Sequence, residues 1–132
     1  MKRNSADTWF SRYIRLRTAN EDGNVSCVTC GAISHAKNMD CGHYVKRQHQ
    51  STRYSEENCH VQCRNCNWLQ QGNDVKFRKY LVETYGEQRI LLLEASKRVS
   101  VKRSKRELSM IADYYKEKTN EVLTQKGIEK WW

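Results

Sequence analysis

The sequence predicts an α+β fold: a strand, loop, strand and helix (ββα) unit clipped together in the middle of the chain, with helices before and after it. Three observations predict it. Two Cys-x-x-Cys turns, Cys27-Val28-Thr29-Cys30 and Cys63-Arg64-Asn65-Cys66, bracket the middle third. Between them the chain is rich in Cys and His and has no helical period. On either side, apolar residues return at the spacing of amphipathic helices. This divides the chain into an N-terminal helix packed on the core (1–24), the core itself (25–72) and a C-terminal helical extension with a basic linker (73–132).

In the first segment Trp9, Phe10, Tyr13 and Ile14 fall at helical spacing within Ala6 to Asn20, with Arg12, Arg15 and Arg17 on the outer face. The aromatic residues keep that period and are read as core rather than as a platform for bases. In the middle segment Met39 to Val45 reads as a short strand, Lys46 to Glu57 as a polar, basic loop, and the stretch from Asn67-Trp68-Leu69 as the start of a helix, with Trp68 packed into the core. Beyond Gly72, Val75, Phe77, Tyr80, Leu81 and Tyr85 mark a helix ended by Gly86, and Ile90 to Ala95 a second short one. After the linker Lys97 to Arg106, Ser104 and Glu107 have capping-box spacing. Leu108, Ile111, Ala112, Tyr115, Val122 and Leu123 then mark one face of a long helix that stops near Gly127. Trp131-Trp132 is expected as an exposed tail or a contact with another chain.

Composition narrows the class of protein. With 132 residues the chain can build one core but not two, and a hydrophobic content of 38% leaves that core in need of a staple. Lys and Arg outnumber Asp and Glu by 24 to 15, a net charge of +9 that favours a polyanionic partner. No apolar run approaches the roughly 20 residues of a membrane span, and no apolar leader follows Met1-Lys2-Arg3, so nucleic acid is expected in preference to a membrane, in the cytoplasm. In that reducing compartment six cysteines point to a metal rather than to disulfides.

Each Cys-x-x-Cys turn can aim two thiolates at one point, and Gly31 eases the first turn. Together Cys27, Cys30, Cys63 and Cys66 form a tetrahedral set suited to a structural zinc, which would supply folding free energy and leave chemistry to other residues. Cys41 and Cys59 are read as small buried hydrophobes, although either could replace a ligand, and His60 is ambiguous for the same reason.

The order His43, Asn58, Cys63-x-x-Cys66, Asn67 resembles that of the His-Me finger nucleases, which include HNH enzymes and junction-resolving phage endonucleases. More closely, Asp40-Cys41-Gly42-His43-Tyr44, Thr52-Arg53-Tyr54, Glu57-Asn58-Cys59-His60 and Cys63-Arg64-Asn65-Cys66-Asn67 resemble the NinG/Rap recombination-endonuclease family of lambdoid phages. The likeness extends to Trp9 through Arg17 and to Thr84-Tyr85-Gly86. The resemblance implies a zinc-stapled ββα-metal core of the His-Me finger kind. It also implies structure-specific hydrolysis of phosphodiesters in branched DNA, such as Holliday junctions and D-loops, with phage or host recombination proteins as partners. It assigns His43 as general base, Asn58 as the residue that orients loop and base, and Asn67 as ligand of one catalytic Mg²⁺ (or Mn²⁺).

One position departs from the pattern. Many HNH enzymes carry a metal-binding Asp or His directly before the base, where this chain has Gly42. Either Asn67 is then the principal ligand or another group, Asp40 or His49, completes the site. Asp40 stands three residues from His43 and on a strand faces the other way. Lys46, Arg47 and Arg53 are candidates to clamp the scissile phosphate, against the alternative of a solvated basic loop. Cutting both strands of a junction needs two sites, so a homodimer is expected. The alternative to an enzyme is a noncatalytic zinc-containing DNA-binding or recombination-accessory module.

Overall fold

A computed structural model describes residues 2–132. Helix α1 (Ser5–Leu16) begins at a capping box that the sequence reading did not include. The Asn4 side chain accepts from the Asp7 backbone N–H at 2.9 Å, and Asp7 Oδ2 accepts from the Asn4 N–H at 3.0 Å. The helix ends earlier than its apolar period alone implied. Two antiparallel hairpins follow: β1 (Asn24–Ser26) with β2 (Ile33–His35), and β3 (Asp40–His43) with β4 (Cys59–Gln62). In the second hairpin Gly42 lies opposite His60 and His43 opposite Cys59, so Asp40 and Gly42 share one face while Cys41 and His43 share the other.

The helical part of the central unit is shorter than expected. After β4 the chain makes a single π-helical turn, Asn65–Leu69, and then a tight turn in which Gln71, Gly72 and Asn73 all have positive φ. Helix α2 (Asp74–Tyr85) is a separate element ending at Gly86, followed by α3 (Glu87–Ser96). Phe77, Leu81, Ile90 and Leu93 of this pair close over Val45 to form one core cluster.

The long helix α4 (Lys105–Lys126) starts at Ser104, whose hydroxyl accepts from the Glu107 N–H, and stops at Gly127 in the left-handed conformation. It folds back along α1, burying Phe10, Ile14 and Tyr115 together with Cys59. Lys126 reaches the C-terminal end of α1 and donates to the carbonyls of Leu16, Arg17 and Ala19 at 3.3, 2.8 and 2.7 Å. A cation there satisfies carbonyls that the helix leaves open and complements its dipole. The last helix therefore belongs to the core rather than extending away from it. Trp131 and Trp132 correct the expectation of an exposed tail: Trp132 meets Trp9 edge-on and lies under the Arg12 guanidinium, and Trp131 packs on His35. Among the described residues no helix is long and apolar enough to cross a membrane.

Candidate functional site

The four paired cysteines converge. Cys27 and Cys30 sit in the turn that joins β1 to β2, Cys63 directly after β4 and Cys66 in the π turn, and all four sulfurs lie within 4.8 Å of one another. The Cys30 and Cys63 sulfurs are 3.6 Å apart, close to the edge of about 3.8 Å for a tetrahedron with Zn–S bonds of about 2.3 Å. Each turn also aims a backbone N–H at a sulfur, Ala32 at Cys30 and Cys66 at Cys63. Burial by itself raises the Cys27 thiol, but the Thr29 hydroxyl and the backbone of Cys63, Thr29 and Cys30 outweigh it and bring the pKa to about 6. The donor set fits a structural metal such as zinc, which would tie the two hairpins together.

Beside this site lies an open cavity of roughly 780 Å³ along the unpaired edge of β3. Because it wraps that edge, residues from both faces of the hairpin line it. Asp40 does face away from His43, as strand alternation requires, yet both line the same cavity, and Asn67 joins them from the π turn. Asn67 Nδ2 donates to Asp40 Oδ2 at 3.1 Å. Six cationic side chains, Arg3, Arg15, Lys37, Lys46, Arg47 and Arg64, line it against the carboxylates of Asp7 and Asp40. That imbalance suits a polyanion.

His43 is firmly held. Its Nε2 is 2.9 Å from the Arg53 carbonyl. A carbonyl can only accept, so Nε2 carries the proton of the neutral ring and Nδ1 keeps the lone pair. Burial lowers the His43 pKa, and the backbone carbonyls of Arg53 and Cys41 offset part of that shift. The Arg53 backbone is in turn fixed through its side chain. Arg53 is 2% exposed, and its Nε and Nη2 donate to Asp7 at 2.8 and 2.5 Å. This corrects the expectation that Arg53 clamps a phosphate: the guanidinium is committed to α1. Burial raises the Asp7 pKa, but the hydrogen bonds from Arg53 and the Asn4 backbone prevail and leave it lowered.

Asn58 is fully buried and closes the loop between β3 and β4. It accepts from the Val45 N–H at 2.7 Å and donates to the carbonyls of Val45 and Thr52 at 2.9 and 3.2 Å. Lys46 and Arg47 both line the cavity. Lys46 pairs with the exposed Asp74 at 2.9 Å, and Arg47 lies 3.5 Å from Asp7. An exposed pair such as Lys46–Asp74 is weak and can yield to a phosphate.

Gly42 has a steric reason. A Cβ at that position would stand 2.0 Å from the amide oxygen of buried Gln62. Gln62 is held by its own donation to the Gly72 carbonyl at 2.8 Å, so no side chain fits before His43.

The remaining histidines lie outside the cavity lining. His60 is core: Arg17 donates to its Nδ1 at 3.2 Å, its Nε2 faces the Glu57 carbonyl, and Phe77, Tyr80 and Tyr85 surround the ring. Burial, with Arg17 nearby, lowers its pKa to about 3. His35 caps the Ala36–Asn38 turn, and His49 stays in the loop. Trp68 reverses its expected placement. It is 73% exposed at the cavity rim, because the π turn ends before a helix can bury it.

With this geometry in place, comparison with known proteins supplies a relationship. The family described as Bacteriophage Lambda NinG protein matches residues 3–125. The chain belongs to the NinG family. It is 32% identical over 76 residues to Protein ninG of Escherichia phage lambda, covering 57% of this chain and 37% of that one. To Protein ninG of Salmonella phage P22 it is 36% identical over 66 residues, covering 49% of this chain and 32% of that one. The chain thus aligns with about a third of these relatives' length. No solved structure matches it.

Proposed function

We propose that the cavity at the edge of β3 is the active site of a metal-dependent endonuclease with a His-Me finger core, acting on branched DNA. One observation carries this reading. His43 is locked by the Arg53 carbonyl with Nδ1 as its acceptor, and it lines the same cation-rich cavity as the Asp40–Asn67 pair.

Nδ1 of a neutral imidazole can take the proton of a water as that water attacks phosphorus, and the hydrogen bond from Nε2 to the Arg53 carbonyl steadies the imidazolium that results. Asp40 and Asn67 together offer a carboxylate and an amide oxygen, hard donors of the kind Mg²⁺ accepts, in an open cavity with room for the waters it keeps. Such an ion, when bound, stabilises charge on the phosphate and on the leaving oxygen. Lys46, Arg47 and Arg64 would hold the flanking backbone. Trp68, flat and exposed at the rim, would stack on a base left unpaired at a branch. Because a lowered pKa keeps His43 neutral, cleavage should rise with pH only below the ordinary histidine range, about 6.5, and be flat above it.

The test is cleavage of a labelled four-way junction beside linear duplex, with Mg²⁺ omitted and restored so that the zinc site is not stripped. Mg²⁺-dependent cutting of the junction in preference to duplex supports the reading. Salt-sensitive binding with no cutting under any divalent ion supports the noncatalytic DNA-binding module instead. A homodimer would supply the two sites that resolution of a junction needs, and light scattering of the DNA complex checks that stoichiometry.

A further inference from the structure

A second group of soft ligands lies on the other face of the same hairpin. Cys41 and His43 are alternate residues of β3 on one face, and Cys59 stands directly opposite His43 on β4. One ligand atom from each of the three lies within 4.8 Å of the others. We propose that Cys41, His43 and Cys59 form a second, thiophilic metal site that takes Zn²⁺ or Cd²⁺ and, when filled, withdraws His43 from any other role.

The ligand chemistry fits. Two thiolates and an imidazole are three of the four donors of a tetrahedral zinc, and a water can take the fourth position. The ligand atoms need to draw together to roughly 3.5–3.8 Å, the edges set by Zn–S of about 2.3 Å and Zn–N of about 2.0 Å. An entry path exists at Cys41 and His43, which both line the open cavity, while Cys59 is fully buried across the ladder from His43. Charge also balances: binding releases one proton from each thiol, so two thiolates neutralise the incoming dication and the local charge does not change. That matters beside Arg15 and Arg17, whose charges act on Cys41 and Cys59 and would oppose an uncompensated cation.

The consequence for His43 does not depend on which nitrogen binds. Capture of Nδ1 occupies the lone pair, and capture of Nε2 breaks the bond to the Arg53 carbonyl that orients the ring. Filling this site with excess zinc would therefore block cleavage while leaving the Asp40–Asn67 side untouched. That consequence rests on the nuclease reading; the binding itself does not.

The experiment uses the zinc-loaded full chain with its thiols kept reduced, dialysed against buffered free Zn²⁺ and read as metal per chain. Wild type should rise from one equivalent to two, and Cys41→Ser should stay at one. Cys59→Ala, shown folded by circular dichroism, should also stay at one. Co²⁺ added to the zinc-loaded protein should give a sulfur-to-cobalt charge-transfer band in wild type that Cys41→Ser lacks. Wild type that remains at one equivalent, or a second equivalent that survives in Cys41→Ser, overturns the proposal. Where cleavage is measurable, zinc should inhibit wild type at least about tenfold more strongly than Cys41→Ser. If no cleavage is found, the metal count still decides the site.

Discussion

The two sides of the β3–β4 hairpin are built to different standards of rigidity. On the side facing α1, His43 is held by a carbonyl whose residue is bound to the buried Asp7, and the loop that carries that residue is closed by Asn58. On the side facing the π turn, one hydrogen bond joins Asp40 to Asn67, and Arg64 and Trp68 stand in solvent. The difference bears on the nuclease proposed above: there a general base must be aligned before substrate arrives, which α1 and the loop would do, whereas the side that would receive a cation and a phosphate can be completed by them.

The largest way to break this comparison is to remove the metal that the four cysteines would hold. A strong chelator, or Cys66→Ser, should unfold both hairpins, since a structural zinc in small domains is worth on the order of 10 kcal/mol. Circular dichroism and metal content checked together should fall in step. Next comes the rigid side alone. Asp7→Ala leaves the Arg53 guanidinium buried without its main partner and should destabilise the protein by about 3–5 kcal/mol in denaturant titration.

Acid should act through His60, which stands opposite Gly42 and is buried against α2. His60, at about 3 in the folded chain, titrates near 6.5 when unfolded, so the unfolded state binds more protons between these values. Stability present above pH 6.5 is then lost as pH falls toward 3, by about 1.4 kcal/mol for each unit of displacement. The depressed Asp7 adds a further loss only below its unfolded value of about 3.9. A folded His60→Gln protein should show a flatter stability profile between pH 6.5 and 3.

The open side should respond in the opposite sense. Asn67→Ala should change stability by less than about 1 kcal/mol, because the residue is half-exposed and makes one side-chain hydrogen bond. It should nonetheless raise the Mg²⁺ concentration needed for cleavage. The smallest effect is expected from Trp68→Ala: no change in stability, and a loss of about 1–3 kcal/mol in binding to branched DNA relative to duplex. Equal losses on both substrates would assign Trp68 to another surface role.

How much of this was legible in the sequence follows the distance over which each interaction acts. The cysteine pairs, Gly86, Ser104 and Gly127 announce themselves because a metal turn or a helix cap is made by neighbours in sequence. The Asp7–Arg53 pair joins residues 46 apart, and Lys126 reaches carbonyls more than 100 residues away, so no local pattern signals either. The basic appearance of the loop thus made Arg53 look free when it is buried. Trp68 was misplaced because a helix was expected to grow from Asn67-Trp68-Leu69 and bury it, whereas the single turn there runs into the positive-φ turn at Gln71 to Asn73. Asp40 was discounted by strand alternation, which holds. What alternation cannot show is that the cavity wraps the open edge of β3 and collects both faces.

The most direct test is to compare His43→Ala with wild type for both binding and cutting of a four-way junction in Mg²⁺. Folding and junction affinity should be unchanged and cleavage lowered by about 10²–10⁴-fold. Cleavage equal to wild type in the folded mutant would contradict this and move the chemistry away from this cavity.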